Sequence, residues 1–118
     1  MSTDTLHPRL LSMFVCSLAV LALPAPAQIS WLETSGLPDV HDSSELALDF
    51  SEGILLLDQF IDAGWIPGSA DAPLRELDGS FADRSDGKHS AFWDVDSLSS
   101  DPDWERVRAM AQSALRFL

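Results

Sequence analysis

From Leu46 to Trp65 the apolar positions recur with the period of a helix. At about 100° per residue, Leu46, Phe50, Ile54, Leu57, Phe60 and Ile61 share one arc, and Glu52, Asp58, Gln59 and Asp62 lie opposite. Asp42 and Glu45 have the spacing of a capping box, and Gly64 with Pro67 beyond it supplies a stop. The pattern predicts one central helix bent at Gly53, where glycine costs about 1 kcal/mol against alanine. Leu48 and Leu55 stand on its polar side. The alternation within Leu46–Phe50 also fits a strand, with the helix beginning after Ser51.

The last stretch carries a second helical pattern. Asp101 is placed to cap, Pro102 takes the first helical position, and Asp103 and Glu105 load the N-terminal turn with negative charge. Trp104, Val107, Ala111, Ala114, Leu115 and Leu118 form one apolar arc. Arg108, Gln112 and Arg116 make an i, i+4, i+8 stripe beside it, expected to lie near Asp49 or Glu52 of the central helix.

Between the two helices, Asp71 to Leu77 predicts a short helical turn with Pro73 near its start. Residues 79–95 read as a β-hairpin around Asp86-Gly87, with Phe81 opposite Phe92 and Ala82 opposite Ala91. The expected fold class is therefore α+β: one small domain of two amphipathic helices packed with a two-stranded hairpin. The alternative is an all-α helical hairpin.

The beginning of the chain changes the count of working residues. Arg9, the apolar run of fourteen residues from Leu10 to Leu23, and Ala25-Pro26-Ala27 have the order of a cleavable export leader. The run is shorter than the roughly 20 residues that span a bilayer. Cys16 sits inside the run behind Val15, which does not suit a lipoprotein. The expected division is a signal peptide over 1–27, an irregular lead-in over 28–41 and the domain over 42–118. The product is expected to be periplasmic or secreted, without stable membrane insertion after cleavage. Cys16 is the only cysteine, so residues 28–118 have no disulfide, no thiol nucleophile and no cysteine-ligated zinc.

Charge narrows the partner class. The formal net charge is −12, and no Lys or Arg occurs between Gln28 and Leu74. A field of that sign repels nucleic acid and anionic lipid, and favours cations or basic proteins. It also suits a high-salt habitat.

Catalytic signatures are missing: there is no G-x-G-x-x-G, phosphate-binding loop, H-E-x-x-H or G-x-S-x-G. His41 and His89 are the histidines beyond the leader, and Ser85, Lys88 and His89 flank the predicted turn. For calcium the candidates are Asp94, Asp96, Asp101, Asp103 and Glu105. Asp94, Asp96 and Glu105 match positions 1, 3 and 12 of an EF-hand, but Leu98 and Ser99 occupy positions that need an oxygen ligand and glycine. For a partner surface the candidates are Asp58 and Asp62, like charges near a helix C-terminus, and Trp65 and Trp93 beside loops. The resulting expectation is an exported acidic protein without catalysis. It binds a basic protein or an envelope complex as a binding module, inhibitor or accessory subunit. The alternatives are a calcium-binding module and a small hydrolase without a recognisable motif.

Overall fold

The computed structural model describes residues 6–34, 44–85 and 90–118. Among them are seven α-helices: α1 (Pro8–Leu21), α2 (Ala25–Thr34), α3 (Ser44–Ile54), α4 (Leu57–Asp62), α5 (Asp71–Ala82), α6 (Ser97–Ser100) and α7 (Pro102–Leu115). Short 3-10 turns over Gly68–Ala70 and Ser90–Trp93 join them. Four helices close a ring, since α1 packs on α3, α3 on α5, α5 on α7 and α7 on α1. The core lies inside that ring, and α2 with α6 covers one side of it.

The central segment turns its predicted arc inward. Leu46, Phe50, Ile54, Leu57 and Phe60 are buried, and Ile61 is half-buried. It is two helices rather than one, broken by a turn at Leu55–Leu56. Leu55 is left 81% exposed and Leu48 52% exposed, as their place on the polar side foretold. Asp42, the predicted cap, lies outside the described residues. The stop after α4 forms as expected. Gly64 takes a φ of 78°, Trp65 N–H donates to Phe60 O at 2.9 Å and Gly64 N–H to Ile61 O at 3.0 Å. These paired bonds satisfy the last carbonyls through a left-handed residue that glycine adopts without a Cβ penalty.

The α+β expectation is overturned. Among the described residues there is no β-strand, and the predicted first strand is the end of α5. Leu74, Leu77 and Phe81 recur at i, i+3 and i+7 and all are buried, so the helix runs on past Leu77. That burial outweighs the cost of Gly79, which faces open space. Phe81 and Phe92 do meet in the core, through Trp104 rather than across a ladder. Their ring centroids lie 6.0 and 4.6 Å from the Trp104 ring. The Asp86-Gly87 turn itself lies outside the described residues. The lead-in is corrected too: residues 28–34 belong to α2, where the Ala27 and Gln28 N–H groups both donate to Pro24 O at 3.0 Å.

Helix α7 follows its sequence closely. Asp101 Oδ1 accepts from Asp103 N–H at 2.9 Å, Pro102 leads the helix, and Trp104, Val107, Ala111 and Ala114 are buried. Leu115 is half-buried and Leu118 exposed. The polar stripe faces elsewhere than expected. Arg108 donates to Gln28 Oε1 at 3.1 Å and Leu98 O at 2.8 Å, and Gln112 donates to Ala22 O at 3.1 Å. Arg108 and Gln112 thus serve the α1–α2 corner and not Asp49 or Glu52, because α1 and α5 stand between α7 and α3 in the ring, and Arg116 is exposed.

Helix α1 covers most of the segment that reads as a leader, and it contributes Phe14, Leu18, Val20 and Leu21 to the core. Its seat on α3 is shaped by Gly53. A Cβ there would stand 2.1 Å from Phe14 Cδ1, so only glycine lets the ring enter between Phe50 and Phe60, at centroid distances of 5.4 and 5.8 Å. Among the described residues no helix is long and apolar enough to cross a membrane.

Candidate partner-binding groove

The packing of α1 against α3 leaves an open groove of about 530 Å³ along their outer edge, closed at one end by α2. Its floor is apolar: Phe14 and Val20 from α1, Leu46 from α3 and Leu56 after it. Met13 stands 61% exposed and Trp31 43% exposed beside it. On α1, Leu10, Met13, Ser17 and Val20 repeat at helical spacing, so one face of that helix lines the groove throughout. On α3, Asp49 and Glu52 lie one turn apart, exposed at the mouth. The site therefore combines adaptable apolar side chains with two carboxylates on one rim. Trp and Met at such a surface suit it to recognise another protein's apolar face.

A second groove of about 640 Å³ runs along the other side of α3, between it and α5. Leu48, Leu55 and Trp93 line it, and Glu52 borders both grooves. Here the carboxylate of Asp78 accepts from Ser51 Oγ at 2.9 Å, which leaves it less free for a cation.

The residues singled out from sequence disperse. Asp58 and Asp62 are exposed on α4, and Asp58 is answered by Arg75, which also reaches Asp71, each at 2.8 Å. The hydrogen bond to Asp71 foremost, then the nearby charges of Asp71 and Asp58, raises the Arg75 pKa above its ordinary value. Trp65 is 37% exposed and stacks on Phe60 at 6.2 Å. Trp93 is half-buried in the aromatic cluster, donating from Nε1 to Arg84 O at 2.9 Å. Trp65 and Trp31 are the more exposed indoles, and Trp93 packs half-buried against the core while lining the second groove.

The calcium candidates also take separate tasks. Asp101 caps α7, and Asp103 pairs with Arg84 at 3.1 Å and Arg106 at 3.5 Å. Asp94, Asp96 and Glu105 are exposed. Among the described residues no three His, Cys, Asp or Glu side chains gather at metal-binding distance. His41, Lys88 and His89 lie outside the described residues, and Ser85 Oγ donates to Phe81 O at 2.8 Å, so it is engaged with the end of α5.

Met13 and Trp31 were not singled out from sequence, because the first 27 residues read as a leader and the next few as lead-in. The repeat at 10, 13, 17 and 20 is the signal that points to Met13, and no comparable pattern marks Trp31. Set against known protein families, curated proteins and solved structures, the chain matches none. The groove's own chemistry therefore carries the functional reading.

Proposed function

We propose that this chain is a small acidic binding module, without catalysis of its own, whose α1–α3 groove takes a basic, apolar-faced helix of a partner protein. The observation that carries the reading is the pairing of an apolar floor with Asp49 and Glu52 at its mouth. An amphipathic helix laid in the groove buries its apolar side chains on Met13, Trp31, Leu46 and Leu56, while its Lys or Arg residues meet the two carboxylates. The net charge of −12 disfavours a second copy as occupant, since self-association brings like fields together, and it repels anionic lipid. Because α1 lines one wall of the groove, this reading belongs to a chain that keeps residues 8–21.

A labelled helical peptide of alternating Leu and Lys faces, about four turns long, tests the groove by fluorescence anisotropy at low salt. Its controls are a scrambled peptide of equal charge and a Glu-for-Lys counterpart. Tight binding of the first alone is expected, weakened about tenfold or more in D49K/E52K and little changed in L48S on the second groove. Equal binding of the scrambled peptide, or indifference to D49K/E52K, rejects the groove.

A further inference from the structure

We infer that folding closes the processing site at Ala27–Gln28, so that cleavage and folding compete for the same segment. The small-residue motif Ala25-Pro26-Ala27 is not an extended linker. It forms the first turn of α2, with the N–H groups of Ala27 and Gln28 both held by Pro24 O. Ala25 is buried, at 9% exposure, and Gln28 is wholly buried.

The residue that follows the scissile bond is also the most tightly held polar side chain of the region. The Gln28 amide donates to Val20 O at 3.2 Å and Leu21 O at 3.0 Å, which satisfies the C-terminal carbonyls of α1. Its oxygen accepts from Arg108 on α7. Gln112 adds the bond to Ala22 O just before the motif. Both sides of the bond are thus tied to two walls of the helical ring, and the seat of Phe14 in the Gly53 notch fastens the far end of α1.

A peptidase binds its substrate extended, so hydrolysis here requires the α1–α2 corner to open first. In the cut, water adds across the amide, leaving a carboxylate on Ala27 and a free amine on Gln28. A chain met by a processing peptidase while still extended loses α1. A chain that folds first keeps it, with the α1–α3 groove intact. The order of the two events selects which form exists, independently of whether the groove binds a basic helix.

Elastase, which cuts after alanine, tests this on the folded full-length chain, with mass spectrometry reading the Ala27–Gln28 cut. A free synthetic peptide of residues 20–34 gives the unprotected rate. The folded chain is expected to be cut at that bond at least about 100-fold more slowly than the peptide. Q28A/R108A, which removes the tie across the corner while leaving Phe14 seated, is expected to recover at least about tenfold of that rate. Circular dichroism confirms that this variant is still folded. If it is not, the single variant Q112A, which frees Ala22, serves in its place with the same expected direction. Cutting of the folded wild type at the peptide's rate overturns the inference. Protection unchanged in the folded variants also overturns it, since the ties named here would then not be what closes the site.

Discussion

Two walls of the ring, α1 and α7, are each fourteen residues long, pack against each other, and are built from opposite chemistry. Helix α7 advertises itself: a capping aspartate, a leading proline, acids in its first turn and a polar face throughout. Helix α1 has a single charge, Arg9, and an almost unbroken apolar run. Both end up with one face in the core. One-sided burial is thus shared by a helix rich in charge and one that is mostly apolar, whose Pro8, Arg9, Ser12 and Cys16 face outward. An apolar run has the same composition whether it is bound for a translocation channel or for a core. What marks α1 as a packed element is not in α1 but in its counterpart: the missing side chain at Gly53 and the buried amide of Gln28.

That comparison breaks most decisively by removing residues 1–27. The loss takes Phe14, Leu18, Val20 and Leu21 from the core, each worth about 1.5–3 kcal/mol when fully buried. Their sum rivals the about 5–15 kcal/mol that holds a whole domain. Residues 28–118 are expected to lose the cooperative thermal transition seen in the full chain by circular dichroism. A sharp melt in the truncated chain would show α1 to be dispensable. On the other wall, Trp104→Ala removes a wholly buried ring stacked on Phe92, together with its Nε1 hydrogen bond to Phe92 O at 2.7 Å. A loss of about 3–5 kcal/mol is expected in urea unfolding.

Gly53→Ala sharpens the contrast through its sign. Helix propensity alone says that alanine stabilises by about 1 kcal/mol. The Phe14 ring 2.1 Å from the new Cβ says that it destabilises by about 1–3 kcal/mol, because overpacking a seated ring forces α1 away. A raised melting midpoint would mean that α1 does not sit on α3. The smallest effect belongs to the α7 cap: Asp101→Ala should lower stability by about 1 kcal/mol, with no change in the accessibility of α1 to proteases.

How much of this was legible follows from where each signal is stored. The inward arc of the central segment, the Gly64 stop and the Asp101 start are local, decided within a few residues, and the structure has all of them. The break at Leu55–Leu56 leaves no mark in the arc, since an unbroken helix would also hold Leu57 and Phe60 on the side of Phe50 and Ile54. The predicted first strand is helix instead because burying Leu74, Leu77 and Phe81 on one face outweighs a two-residue turn signal at Asp86-Gly87. The periodicity of Arg108 and Gln112 specifies a direction on α7 and not the α1–α2 corner that stands there. The groove is not legible in the sequence because half its lining comes from residues with the order of an export leader.

The indole of Trp31 gives the groove its own optical reporter. Trp104 is sealed among rings and Trp93 is half-buried beside it, so their emission reports on folding, while Trp31 looks onto the groove and Trp65 sits away from it on Phe60. A ligand seated between α1 and α3 should blue-shift the long-wavelength edge of the spectrum and shield one indole from acrylamide quenching. Trp31→Phe should erase both signals without a dye ever being attached.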